Sequence, residues 1–151
     1  MFQDSTLFVV RHGEFFISLI MIKIKRNLTA RYFSLDEILA KNDRSELIDL
    51  IQDPAKVANM RSLLSILDHL REDFGKPIII NSFYRDSVHN VRVGGVKTSK
   101  HLRGAAVDIT SPDFDNLSQV VIHSVKYNWR VLPYIKRKFL HIELINYDSI
   151  Y

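Results

Sequence analysis

The chain contains no cysteine. That excludes disulfides, thiolate metal sites and cysteine nucleophiles together. It leaves the compartment open, because a cysteine-free fold survives in either redox environment. A membrane-spanning run is also missing. The apolar stretch Phe15 to Ile22 has eight residues, against the roughly 20 that a spanning helix needs. Arg11 and His12 precede it as in a secretory leader, but Lys23-Ile24-Lys25-Arg26 follows where a small-residue cleavage site belongs. We expect a strand there, or an upstream extension ahead of a natural start at Met21. Internal repeats and low-complexity segments are lacking too, which excludes repeat architectures. Finally, no acid occurs from Asn116 to Ile142, where Lys126, Arg130, Lys136, Arg137 and Lys138 all fall, while Ser34 to Gly75 is net acidic. Such a basic face attracts nucleic acid or anionic envelope polymers. A solvated surface is the plainer account, and the one adopted.

What remains describes one domain. The 151 residues, 46% hydrophobic and 25% charged, with a net charge of +4, are ordinary for a soluble globular chain. At that size a fold buries about two-thirds of its extended-chain surface, enough for a real core. Residues 1–31 read as an N-terminal extension or strand, and 32–151 as the domain that carries chemistry.

Ser34-Leu35-Asp36-Glu37 has the capping-box form and opens a short helix to about Ala40. A second short helix covers Glu46 to Ile51. Asp53-Pro54 is an N-cap followed by proline at the first helical position. From there Val57, Met60, Leu64, Leu67 and Leu70 recur at helical spacing. Gly75 and Pro77 stop this helix, which is expected to be the longest element, Pro54 to Phe74. Ile78-Ile79-Ile80 reads as a buried strand. Ser82 to Asn90 turns away from its end, Gly94-Gly95 marks a loop, and Ala105 to Ile109 reads as another strand. Asp115 to Tyr127 predicts a helix with Leu117, Val120, Val121 and Val125 inward. Trp129 to Leu132 and Phe139 to Ile145 predict two strands with Pro133 between them. The fold class is therefore α+β, a small and largely antiparallel sheet packed by helices.

The chemistry concentrates in Ser99-Lys100-His101-Leu102-Arg103-Gly104-Ala105-Ala106-Val107-Asp108 and in Phe139-Leu140-His141-Ile142-Glu143. Two imidazoles and a carboxylate with one open position are the donor set of a catalytic zinc site. Gly104 lets the backbone turn before the strand, and Ala105 and Ala106 leave room for an ion. Strand alternation puts Ala106 with Asp108 on one face, and Phe139, His141, Glu143 and Ile145 on one face. Asp108 and His141 then meet across neighbouring strands, and His101 closes the third corner. Taken singly, His101 is more often a hydrogen-bonded core residue, and Asp108 more often a carboxylate bonded to backbone amides. The combination carries the metal reading.

The pattern Ser99-x-His101-x-x-Gly104-x-Ala106-x-Asp108, with a later strand histidine, resembles the zinc D-Ala-D-Ala metallopeptidase superfamily. That group includes VanX- and VanY-type peptidases and phage L-alanyl-D-glutamate endolysins. Upstream, Ile80-Asn81-Ser82-Phe83-Tyr84-Arg85, Asn90 and Val93-Gly94-Gly95-Val96 are similar to the run preceding the histidine in its small-peptidase branch. The likeness extends from about Tyr32 to Ile145. It implies a hedgehog-like peptidase fold and a zinc ion held by His101, Asp108 and His141. The implied substrate is a peptide of the peptidoglycan stem. Zinc lowers the pKa of its bound water to about 7. Arg85 matches the arginine that binds a substrate carboxylate or stabilises an oxyanion, work suited to its permanently charged planar fork. Ser99 bonds substrate or holds the loop, and Asn90 fixes the loop.

The chain departs from the family at the general base. An acid usually stands shortly before the last histidine, often three residues before, where this chain has Lys138, Phe139 and Leu140. Glu143 shares the face of His141 and is the nearest candidate; its plainer role is a rim carboxylate paired with Lys136 or Lys138. His89 is a candidate groove residue, His69 and His123 structural ones, and Trp129, Tyr84 and Phe83 core or cleft-wall aromatics.

The resemblance thus implies a zinc metallopeptidase, expected to be monomeric, with Arg85 catalytic and Arg85 and Ser99 binding substrate; the strand face shared with His141 adds Glu143 as the candidate catalytic base. It suits a phage-type lytic enzyme made in a host cytoplasm and acting on the wall, without nucleic-acid partners. D,D-carboxypeptidase and L-Ala-D-Glu endopeptidase activities stand side by side. The rival readings are a non-catalytic zinc module that binds a partner or cell-wall ligand, and a basic nucleic-acid binder that leaves the His/Asp/His spacing unexplained.

Overall fold

A computed structural model describes residues 5–145, with side chains from Gly13 onward. The side chains of Arg11 and His12 lie outside the described residues. Helix α1 (Ser5–Asn27) comes first, followed by α2 (Leu35–Leu39), α3 (Arg44–Ile51) and α4 (Pro54–Phe74). Strand β1 (Ile79–Ser82) and helix α5 (Ser87–Arg92) lead to a 3-10 turn at Lys100–Arg103 and strand β2 (Ala106–Thr110). Helix α6 (Phe114–His123) and strands β3 (Trp129–Tyr134) and β4 (Phe139–Leu144) complete the described chain. The four strands form one antiparallel sheet in the order β1-β2-β4-β3. The fold is α+β, as expected.

Local signals in the sequence explain most of the helix ends. Ser34 Oγ accepts from the Glu37 amide while the Ser34 amide donates to the Glu37 carboxylate, closing the capping box. Asp53 caps α4, Pro54 stands at its start, and Gly75 ends it in the left-handed conformation at φ 73°. One sheet face carries Val107, Ile109, Leu140 and Ile142, all fully buried. They join Met60, Leu63, Leu64, Leu67 and Leu70 of α4 and Leu117 and Val121 of α6 in a single core. The opposite face is left for chemistry.

Five expectations need correcting. The stretch 15–22 is helical, part of α1, and Ile20, Ile24 and Leu28 dock on the core at spacings of four. A short apolar run reads equally as strand or buried helix, and length decides. This helix has 23 residues, so α4 with 21 is not the longest element. Strand β1 is an edge strand with Ile79 45% exposed; only Ile78 of the predicted buried triplet is buried. Helix α6 ends at His123, and Val125 is 96% exposed rather than inward. Pro133 lies inside β3 instead of separating two strands. It is tolerated there because β3 is an edge, where a missing N–H costs no ladder bond on the open side. Among the described residues, no helix is long and apolar enough to cross a membrane.

Candidate active site

The sheet register brings the ligand candidates together. Asp108 of β2 stands directly opposite His141 of β4, and Ala106 opposite Glu143. Period-two alternation then places Asp108, His141 and Glu143 on the face away from the core. His101 arrives from the 3-10 turn, which Ser99 caps by accepting from the His101 amide (3.3 Å). Gly104 ends that turn at φ 64°. A Cβ there would lie 2.7 Å from the Lys56 carbonyl oxygen and 2.8 Å from Met60 Cγ. The turn therefore sits flush on α4, which fixes the height of His101 above the sheet.

His101, Asp108 and His141 offer one ligand atom each within 4.8 Å of one another. The His101 and His141 rings are 5.0 Å apart and tilted by 59°. His101 Nδ1 contacts the Phe83 carbonyl at 2.5 Å. A carbonyl only accepts, so Nδ1 carries the proton and Nε2 of the neutral ring presents a lone pair. That Nε2 is buried without a hydrogen-bond partner, 3.3 Å from Asp108 Oδ1. A lone pair aimed at a carboxylate oxygen inside a protein is costly unless a cation lies between them. The donor set therefore fits a zinc-type ion: two imidazoles, one carboxylate and an open side.

Further contacts hold these candidate ligands. Asp108 Oδ1 lies 2.7 Å from His141 Nδ1, and Asp108 Oδ2 accepts from Arg85 Nη2 at 3.1 Å. Burial pushes the Asp108 carboxyl up, but its hydrogen bond to His141 and the imidazoles facing it outweigh that and hold the group well below the usual carboxylate range. For His141, burial opposes the charged ring. Its hydrogen bonds to Asp108 and Glu143, with their charges, win and raise its pKa. Arg85 is anchored on three sides: Nε donates to Ser82 Oγ (2.9 Å), its backbone amide to the His101 carbonyl (3.1 Å), and Nη2 to Asp108.

Glu143 Oε1 lies 3.0 Å from His141 Nε2, and Oε2 is 3.8 Å from Arg130. The pairing with Lys136 or Lys138 considered from sequence is replaced: Lys138 reaches Asp115 instead. Strand β3 brings Arg130 opposite Glu143 in register, which sequence spacing did not reveal. A cleft of about 610 Å³ opens over the three ligand candidates. Among the described residues lining it, Asp108 and Glu143 are the carboxylates, facing Arg85, Lys100, Arg130 and Arg137.

The remaining candidates separate. Asn90 Nδ2 donates to the Val96 carbonyl (2.9 Å) and fixes the 91–96 loop, as expected. His89 does not line the groove. It is buried against Glu46, with Nδ1 3.0 Å from both carboxylate oxygens. His69 and His123 each contact the carbonyl four residues back on their own helices. Phe83 and Trp129 are core residues. Glu46 is the residue that sequence reasoning missed. It accepts from Asn42 Nδ2 (2.7 Å) and from the Asp86 amide (3.4 Å) as well as facing His89. Asn42 also donates to the Tyr84 carbonyl (2.8 Å). This knot grips the segment from Phe83 to Asp86, which carries both the carbonyl that orients His101 and the Arg85 side chain. Asp43, the N-cap three residues earlier, marks the start of that helix but carries no sign of the burial of Glu46.

A family model described as Peptidase M15 matches residues 31–143. The chain belongs to the M15 peptidase family. The match spans every ligand candidate, together with Arg85, Ser99 and Glu143. As an M15 peptidase the protein is a hydrolase of the metallopeptidase type, in the zinc D-Ala-D-Ala metallopeptidase superfamily. M15 peptidases are generally zinc-dependent, in keeping with the His101, Asp108 and His141 group. No curated protein matches the chain.

Proposed function

We propose that this M15 peptidase hydrolyses peptide bonds in peptidoglycan stem peptides, as a D,D-carboxypeptidase or an L-Ala-D-Glu endopeptidase of the phage-lysin kind. The observation that carries the reading is the unpartnered, buried His101 Nε2 aimed at Asp108 across from His141. The cation excess around the cleft supports a peptide substrate that bears carboxylates.

His101, Asp108 and His141 would hold the zinc ion, which would supply Lewis acidity toward a peptide carbonyl and activate water at neutral pH. The chain's own residues do the rest. Arg85 Nη2 steadies the Asp108 carboxylate, and the remaining N–H groups of its fork bind the substrate carbonyl or carboxylate. Glu143 takes the proton of the attacking water and delivers it to the leaving amine nitrogen. Arg130 stands beside that carboxylate, 3.8 Å from Oε2, at the rim of the cleft. Ser99 holds the His101 turn and borders the substrate path.

The test is incubation of the zinc-loaded protein with purified stem peptides, followed by mass spectrometry. A new cut that chelation abolishes is expected. Glu143→Gln should lower turnover by about 10²–10⁴-fold with zinc content unchanged; unaltered turnover removes Glu143 from the base role. The contact between Glu143 and His141 favours a second reading, a non-catalytic zinc-binding relative that holds a partner or wall ligand. Zinc binding without any cut across several wall chemotypes selects it.

A further inference from the structure

Helix α1 is apolar on two sides, and the protein covers only one of them. Ile20, Ile24 and Leu28 dock on the core, with Met21 packed beside them. On the other side Phe15, Leu19 and Ile22 follow at spacings of four and three, so their side chains form one stripe, and Phe16 stands next to it. Phe15 is 67% exposed, Phe16 52%, Leu19 48% and Ile22 47%. Single exposed apolar residues are ordinary, but four on adjoining turns of one helix form a patch that calls for a partner. Helix α1 also lies ahead of residues 31–143, which the family match covers, and none of these four side chains lines the catalytic cleft.

The charges on this helix narrow the choice of partner. Four residues beyond Ile22 on the same stripe is Arg26, and four beyond Leu19 is Lys23. Lys25 flanks them, and all three are exposed. Glu14 is the one acid of α1. Among the described residues, no carboxylate pairs with Lys23, Lys25 or Arg26. The open face thus carries apolar side chains toward one end and cations toward the other. A polar polyanion would meet the cations and leave the apolar stripe in water. A second copy of the chain would cover the stripe, but four side chains fall well short of the roughly 20–30 residues a side of a stable protein interface. It would also bring like charges together with only Glu14 to offset them. A lipid surface needs no matching shape. It takes apolar side chains at the acyl boundary while its phosphates meet cations at headgroup level.

We propose that α1 is an interfacial anchor that lays this face on an anionic membrane. The helix lies in the plane of the surface and does not cross it; among the described residues, no helix is long and apolar enough to span. Phe15, Phe16, Leu19 and Ile22 enter the acyl boundary, and Lys23, Lys25 and Arg26 meet lipid phosphates. The opposite side of α1 is fixed to the core through Ile20, Ile24 and Leu28, so the anchor holds the whole domain at the surface. A single short stripe of this kind binds reversibly, and its charged part weakens as salt rises. The anchor sets where the protein works and needs neither the metal nor the peptidase activity.

The experiment floats the full chain with vesicles of phosphatidylcholine alone, and of phosphatidylcholine and phosphatidylglycerol in equal parts. Wild-type protein is compared with the double variants Phe15→Ser/Leu19→Ser and Lys23→Glu/Arg26→Glu. All four side chains are exposed, so the far-UV spectrum and Tm should stay near wild type. The wild-type protein should partition onto the mixed vesicles at least about tenfold better than onto phosphatidylcholine, and salt should release part of it. Each double variant should lower partitioning onto the mixed vesicles by at least about tenfold, the first by lost apolar burial and the second by lost attraction to phosphate. No partitioning of the wild-type protein overturns the anchor, as does equal partitioning onto neutral vesicles. Partitioning that Phe15→Ser/Leu19→Ser leaves intact overturns it too, because the apolar stripe then does nothing. A dimer in sedimentation velocity that the same variant dissolves, with no vesicle binding, gives the face to a second copy instead.

Discussion

Removing the Glu46 carboxylate tests how the metal site is held. Glu46 is 1% exposed and meets Asn42, His89 and the Asp86 amide. In Glu46→Ala, His89 Nδ1, one Asn42 N–H and the Asp86 amide lose their acceptor in a largely buried place. Each orphaned donor costs about 1–3 kcal/mol. Relaxation and water entry keep the sum of the three near its lower end, so about 3 kcal/mol is expected. For a chain of this size each kcal/mol moves Tm by about 2–4 °C, giving a fall near 10 °C by circular dichroism. The knot also holds Phe83, whose carbonyl orients His101, so zinc affinity should drop about tenfold, as for other groups that orient metal ligands. A double-mutant cycle with His89→Ala should show coupling above about 1 kcal/mol. A Tm change under about 3 °C, or strict additivity of the two substitutions, refutes the reasoning.

Other outcomes follow from the same geometry. His101→Ala should take bound zinc from about one equivalent to near zero by metal analysis while the far-UV spectrum persists; full retention of metal rejects the ligand set. Gly104→Ala forces φ +64° on a residue with a Cβ that meets Lys56 and Met60, costing at least about 2 kcal/mol, and a wild-type urea midpoint would contradict the close approach. Burial raises the Asp49 carboxyl, but the Tyr84 and Lys56 hydrogen bonds and the Lys56 charge outweigh it and leave it below its ordinary 3.8. A depressed folded-state pKa gives stability present above the unfolded value and lost as pH falls through the folded one. Tm should therefore drop more steeply below pH 4 in the wild-type protein than in Asp49→Asn, and parallel slopes exclude this linkage.

Much of the fold was legible because it rests on short-range rules. The capping box at Ser34, Asp53-Pro54 and Gly75 act within one helical turn, and the structure has helix ends at these places. Alternation along Phe139 to Leu144 separated core from site because a strand has only two faces. Local rules failed where neighbours decide. The helical state of 15–22 depends on docking Ile20 and Ile24 on the core. The exposure of Ile79 depends on β1 being an edge. The acceptance of Pro133 depends on β3 being one too.

The site divides in the same way. His101, Asp108 and His141 could be named from the sequence because metal chemistry restricts donor types and Gly104 and the strand pattern restrict their spacing. That they share one place is tertiary: the β2–β4 register sets Asp108 against His141, and the contact with α4 sets the height of His101. The partners of Glu143 and the burial of Glu46 had no sequence signature. Each arises from residues far apart in the chain, and such contacts are set by packing geometry rather than by any local pattern.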